Sequence, residues 1–248
     1  MIYLASSGHP GGALSIADIL TTLYFVEMNV GDKEDKNRDR LVLSKGHASA
    51  ALYATLAEKG CVSKDELKHF RQVGSILQGH PDMKHIPGVD MTSGSLGQGL
   101  SAANGMAIAA KLDKRPSRIY CILGDGELGE GQVWEAAMTA SHYQLDNLCV
   151  IVDNNNLQID GVITEVMNST PIDEKFESFG FNVITTNGHD FNKLISSFEE
   201  AKKTKGKPTC IICKTIKGKG VSYMENEVKW HGKAPNEEEY MKAMSDLH

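Results

Sequence analysis

Two short apolar runs, Arg118–Leu123 and Leu148–Val152, bracket a stretch whose apolar residues recur at helical spacing, with Trp134, Ala137 and Met138 expected on one side. That order predicts a strand–helix–strand unit. Each run ends in a polar loop: Gly124-Asp125-Gly126 after the first and Asp153-Asn154-Asn155-Asn156 after the second. Parallel strands place both loops at one edge of the sheet, where open α/β folds hold ligands. The 30-residue step from Asp125 to Asn155 is about one such repeat. A carboxylate and an amide oxygen are therefore expected to face each other across neighbouring strand ends.

The same periodicities organise the rest of the chain. Met1–Ser6 reads as the end of a helix, and Leu14–Met28 as an amphipathic helix with Ile16, Ile19, Leu20 and Leu23 as its buried stripe. Leu41–Leu43 is a short strand and Ala48–Lys59 an alanine-rich helix. Ser63-x-x-Glu66 is a capping box that opens a helix ending near Val73. Gly74–Ser95 is irregular, and irregular stretches of that length inside a compact domain are usually functional or mobile. A helix of small residues starting from Gly94–Gly99 and running through Ala110 is expected to be buried against a close neighbour. Pro171 opens a short helix, Asn182–Thr186 forms a strand, and Asp190 caps the helix Phe191–Lys203. Thr209–Ile216 is a further strand, and a polar helix starts at Asn236. The expected organisation is one α/β domain over 1–248 with a tail from about 218.

The 125/155 pair suits a hard divalent cation. Mg²⁺ takes oxygen donors and keeps one or two protein ligands beside phosphate oxygens and water. The glycines around Asp125 let the backbone approach a ligand, and the following helix offers its N-terminus to an anion. A second reading competes. Gly124-x-Gly126-x-x-Gly129 also fits a dinucleotide fingerprint, with Asp146 or Asp153 near the ribose. A bare pyrophosphate would then lie against Asp125, Glu127 and Glu130, so the local charge favours a metal-bridged diphosphate clamp.

Bulk composition narrows the class. With 248 residues, 41% of them hydrophobic, the chain can bury a substantial core. No apolar run approaches the roughly 18 residues of a membrane span. A net charge of -6 argues against nucleic acid as the main partner. The five cysteines do not form a disulfide framework. Cys210 and Cys213 sit three apart in a strand-like run, which points them to opposite faces as core thiols of a reducing cytoplasm.

Four of the nine histidines, His9, His47, His80 and His231, stand beside glycine in expected loops. Their wide spacing and the lack of cysteine partners do not fit a zinc site. Proton transfer and anion binding near neutral pH suit them better.

The blocks around these residues resemble a known family. Ser7-Gly8-His9-Pro10-Gly11, Leu43-Ser44-Lys45-Gly46-His47-Ala48, Gly79-His80-Pro81 and Gly94-Ser95-Leu96-Gly97-Gln98-Gly99 occur in the order found in transketolases. So do Gly124-Asp125-Gly126 with Asn155, Lys217-Gly218-Lys219-Gly220 and Trp230-His231-Gly232-Lys233. The resemblance is to the N-terminal, cofactor-diphosphate-binding part and covers nearly the whole chain. It implies a mostly parallel β-sheet flanked by helices on both faces, the thiamine diphosphate-binding fold of diphosphate type. It also implies thiamine diphosphate with Mg²⁺ or Ca²⁺, the metal held by Asp125, the Asn155 side chain and the Leu157 main-chain oxygen. His47, Lys217, His231 and the Gly126 amide would contact the diphosphate, and Gly94, Ser95 and Leu96 the cofactor rings. His9, His80 and His231 would face the sugar.

The activity implied is transfer of a two-carbon ketol unit from a ketose phosphate to an aldose phosphate, in the cytoplasm and the pentose phosphate pathway. Full-length transketolases continue into a pyrimidine-binding and a C-terminal domain, and the former supplies the glutamate that meets the aminopyrimidine. No motif here supplies that glutamate, and Glu130 falls in the family's subunit-interface region. The expectation is a split enzyme whose separate C-terminal subunit completes each site, in an α₂β₂ assembly. One chain of a deoxyxylulose-phosphate-synthase-like enzyme or of a keto-acid dehydrogenase, and a non-catalytic regulatory partner, are the alternatives. The Trp230-His231-Gly232-Lys233 and Gly8-His9-Pro10 blocks favour transketolase over the other thiamine enzymes.

Overall fold

A computed structural model describes residues 1–32 and 34–247. Its strands are, in chain order, β1 (Arg40–Leu43), β2 (Ile119–Gly124), β3 (Leu148–Asn154), a two-residue hairpin of β4 (Leu157–Gln158) and β5 (Gly161–Val162), then β6 (Asn182–Asn187) and β7 (Thr209–Lys214). The five longer strands form one all-parallel sheet in the order β1-β2-β3-β7-β6. Every residue of β3 is buried, as a central parallel strand covered on both faces requires.

Alternate residues of the strands feed two separate cores. Tyr120, Ile122, Cys149, Ile151, Ile211 and Cys213 pack with Ile16, Ile19, Leu20, Leu52 and Phe198 on one face. Ile119, Cys121, Leu123, Val150, Cys210 and Ile212 pack with Leu100, Ala103, Val133, Ala137 and Phe176 on the other. Cys210 and Cys213 thus lie on opposite faces, both fully buried, as their spacing requires. The small-residue helix runs from Gln98 to Leu112, and its Asn104 donates to Ala136 O at 2.8 Å across a seam of alanines. Residues beyond 217 return to the body: Gly218 N–H donates to Gly11 O at 2.9 Å, and Trp230 is fully buried. No helix among the described residues is long and apolar enough to cross a membrane.

Several local expectations are corrected. The expected helix Leu14–Met28 is broken into Pro10–Leu14, Ala17–Thr22 and a π-helical turn, Leu23–Glu27. The break lets Ser15 Oγ reach Gly12 O and Asp153, while the stripe of Ile16, Ile19, Leu20 and Leu23 stays buried. The capping box at Ser63 does not form. Ser63 Oγ accepts from Asp65 N–H instead, and that tighter local turn leads into a 3₁₀-helix, Lys64–His69. Met138 is 60% exposed rather than packed beside Ala137. Pro171 precedes the helix Ile172–Ser178 as its cap. Asp190 does cap Phe191–Lys203, accepting from Lys193 N–H, and Asn236 with Glu239 forms a reciprocal box at the last helix.

Candidate active site

Parallel pairing sets Gly124 beside Asp153 and Asp153 beside Cys213. The segments leaving β1, β2, β3 and β7 therefore open at one edge. A cleft of about 210 Å³ lies there, and its walls include Asp125, Gly126, Asn155, Leu157, Lys217, His9, His47, His231, Gly94 and Leu96. His80 and Ser95 are exposed and are not among the residues lining it. His80 packs instead against Gly94, where an added Cβ would come within 3.1 Å of its ring.

Beneath the cleft lies a buried ion pair that sequence reasoning had not placed in the site. Lys45, which follows β1, sets Nζ 2.5 Å from Asp153 Oδ2 and 3.2 Å from Gly12 O. Asp153 also accepts from the Ser15 and Thr215 hydroxyls and the Asn155 amide. Against the cost of burial, the Lys45 charge and these donors hold Asp153 below the ordinary carboxylate range. A carboxylate and a lysine within apolar strand ends were the signal available for this pair.

Asp125 is the opposite case. Burial, reinforced by the like charge of Asp153, lifts its carboxyl to about 6. Its Oδ1 accepts from Gly126 N–H at 2.8 Å, and its Oδ2 from Asn154 Nδ2 at 3.1 Å and from Asn156 N–H. The Gly126 amide thus faces Asp125, and Gly126–Gly129 is a single 3₁₀ turn rather than the start of an anion-binding helix; the α-helix begins at Gly131. The Asn155 oxygen accepts from Leu157 N–H at 3.1 Å. Lys217 Nζ reaches Leu157 O at 3.4 Å and His231 Nδ1 at 3.1 Å. Burial and the neighbouring Lys45 bring Lys217 down to about 8.

The histidines scattered through the sequence converge. The rings of His9, His47 and His231 lie 5.1–5.4 Å apart. Burial first, then the surrounding cations, depress His47 to about 2 and His9 and His231 to about 4, so all three are neutral at pH 7. Each is positioned by the fold: His9 precedes a helix whose first residue is Pro10, His47 lies in the turn after β1, and His231 follows Trp230, whose indole donates to Tyr223 O.

Glu127, also not anticipated as a site residue, ties the walls together. Its buried carboxylate accepts from Ser44 Oγ, from Gly97 N–H at 2.9 Å and from Gly124 N–H at 3.0 Å. This disposes of the dinucleotide reading, since the Gly124-to-Gly129 segment is folded around that carboxylate. Of the two candidate ribose acids, Asp146 precedes β3 at the opposite end of the strands, bound to Lys111, and Asp153 is committed to the buried pair with Lys45.

The donor set fits a metal-bound diphosphate. Among the described residues no three His, Cys, Asp or Glu side chains are placed to hold a metal, but Asp125, the Asn155 amide and the Leu157 carbonyl are the oxygen donors that Mg²⁺ and Ca²⁺ prefer. Gln158 Oε1 is a buried oxygen without a hydrogen-bond partner on the same wall.

Comparison with known proteins agrees. A family model described as transketolase, thiamine diphosphate binding domain, matches residues 1–247. The chain is 44% identical over its whole length to one subunit of an apulose-4-phosphate transketolase from Phocaeicola vulgatus, covering 88% of that protein. It is 45% identical over 97% of its length to one subunit of a 6-deoxy-6-sulfo-D-fructose transketolase from a Clostridium species, again covering 88%. The crystal structure of transketolase from Campylobacter jejuni superposes with a TM-score of 0.93 at 40% identity. The match covers 99% of this chain and 40% of that one, so the chain spans about two fifths of that solved transketolase.

Proposed function

Because the chain belongs to the family of transketolase thiamine diphosphate-binding domains, we propose that it is the diphosphate-binding subunit of a two-chain transketolase. It takes part in moving a two-carbon ketol unit from a ketose to an aldose phosphate. The names of the two split relatives carry a phosphate and a sulfo group on a ketose, which supports an anionic ketose as donor. Thiamine diphosphate, when bound, supplies the carbanion chemistry.

The residues of this chain bind, orient and move protons. Asp125, the Asn155 amide and the Leu157 carbonyl would hold Mg²⁺ or Ca²⁺. Lys217, His47 and His231 would hold the diphosphate, joined by the Gly126 amide once it turns from Asp125 Oδ1, and Gly94, Ser95 and Leu96 would flank the rings. The ammonium of Lys217, now resting on Leu157 O, provides a positive charge for the phosphate oxygens. His9, His80 and His231 face the sugar, and neutral imidazoles there can give or take a proton without carrying a charge between turnovers. Residues 1–248 act as one domain, and a separate cytoplasmic subunit, in an α₂β₂ assembly, contributes the carboxylate that meets the aminopyrimidine. Relatives of similar length are themselves named as single subunits of transketolases, which supports a partner chain.

The observation that carries this reading is the convergence of a carboxylate, an amide and a main-chain carbonyl with Lys217 and three imidazoles in one strand-end cleft. Calorimetric titration with thiamine diphosphate tests it, with and without Mg²⁺. Asp125→Ala is expected to abolish the metal-dependent component of binding, and an unchanged affinity in that variant rejects the assignment.

A further inference from the structure

Arg71 belongs to none of the groups named above, yet its surroundings are built around it. Its φ of +60° lies in the left-handed region, which a long side chain seldom adopts. Such a backbone persists only where its neighbours hold it. Here they do. Arg71 N–H donates to Leu77 O at 2.8 Å, and the guanidinium lies over Phe70, 5.5 Å from the ring centroid. One terminal nitrogen donates to Ser7 Oγ at 2.7 Å. A Cβ at Gly79 would come within 3.1 Å of the guanidinium. The other terminal nitrogen meets His9 Nδ1 at 3.3 Å.

A guanidinium only donates, and it keeps its charge throughout the working pH range. His9 Nδ1 must therefore accept, which leaves the imidazole proton on Nε2. That end of the ring faces Gly232, where a Cβ would stand 3.7 Å from Nε2, within the cleft shared with His47 and His231. We propose that Arg71 is a positioning residue that locks His9 in its Nε2–H form, so that His9 meets the substrate as a hydrogen-bond donor rather than as a resting base. The inference rests on the reading of His9 as a sugar-facing residue. The charged and titratable groups around His9 are Arg71, His80, Lys217 and Lys45, with the His47 and His231 rings in contact. All four of the former oppose its protonation, after burial, and Arg71 does so most.

Long-range ¹H–¹⁵N correlation spectra of the full chain, labelled at histidine and recorded without cofactor or sugar, test this. Wild-type His9 is expected to carry its proton on Nε2 alone. Arg71→Met, which keeps the apolar stem over Phe70, is expected to populate the Nδ1–H form and to raise the His9 midpoint by about one pH unit. Arg71→Lys restores the single form. In the cofactor-loaded enzyme with its partner, Arg71→Met is expected to lower kcat about tenfold, with cofactor affinity within about twofold of wild type. A proton on Nδ1 in the wild type, or an unmoved tautomer and midpoint in Arg71→Met, overturns the proposal. Should Arg71→Met not fold, Ser7→Ala loosens the same guanidinium and must move the same signals in the same direction. A tautomer change without any ketol transfer sinks the functional reading and leaves the role of Arg71 intact.

Discussion

The two sides of the cleft are built on different principles. On the sheet side, Lys45, Asp125, Asp153 and Asn155 lie on or just beyond strand ends and all are buried; Lys45 bonds across to Asp153, Asp125 across to Asn154, and Asn155 to Asp153 in its own strand. On the loop side, His9 is half-buried, with the exposed His80 and partly covered Arg71 standing behind it, and the one side-chain hydrogen bond to His9 among the described residues comes from Arg71. A parallel sheet fixes its strand ends to within the precision of its own ladder, which suits an anchor for a charged cofactor. Loops leave room for a substrate to enter, and side chains there need separate positioning.

The most severe test of this division is aimed at its rigid side. Lys45→Met would leave Asp153 buried without a cation. It is expected to cost about 3–5 kcal/mol of stability in denaturant unfolding. Adding Asp153→Asn, which removes the unpaired charge and keeps an acceptor for the Ser15 and Thr215 hydroxyls, should recover part of that loss. Cofactor affinity should not recover with it, since Lys45 lines the cleft. If the double variant regained both, the pair would be serving the fold alone.

A second test reads the cost of keeping imidazoles neutral. His47 is depressed from its ordinary value to about 2, burial being the main cause. Below about pH 6.5 the unfolded chain takes up a proton that the folded chain refuses, so His47 contributes stability above that pH and loses it as the pH falls. The slope is about 1.4 kcal/mol per pH unit. Between pH 7 and 5, wild type is expected to lose about 2 kcal/mol more than His47→Gln in urea unfolding. Equal losses would mean that His47 takes up its proton at the same pH in the folded protein as in the unfolded chain.

How far the sequence carried the reading also follows this division. The apolar runs of β2, β3 and β7 and the polar residues ending them were legible, because a buried parallel strand admits few polar residues and Asp125 and Asn155 interrupt that rule. The convergence of His9, His47 and His231 was legible only through the family's blocks, since no periodicity links residues so far apart. Arg71 and Glu127 were not singled out. Each acts through contacts made in three dimensions, with Ser7 and His9 or with Ser44, Gly97 and Gly124. In the sequence Arg71 is one more charge near an expected helix end. The break at Ser15 was hidden for a related reason: its cause is a bond to Asp153, 138 residues away.

The mildest perturbation probes the loop side alone. His80 is exposed, packs on Gly94, and is held below its ordinary value by partial burial and then by Arg71. Its removal leaves no cavity and no buried charge, so His80→Ala should change stability by no more than about 0.5 kcal/mol. It touches none of the residues that would hold metal or diphosphate and meets only Gly94 beside the rings, so cofactor affinity should stay within about threefold of the wild-type value. Turnover should nevertheless fall, by about tenfold or more if the imidazole hydrogen-bonds the sugar or shuttles a proton. Steady-state kinetics with the partner chain, set beside a cofactor titration, separates the two sides. If His80→Ala weakened cofactor binding as Asp125→Ala is expected to, the loop side would be part of the anchor, and the division between a rigid holding edge and an adaptable reacting edge would not stand.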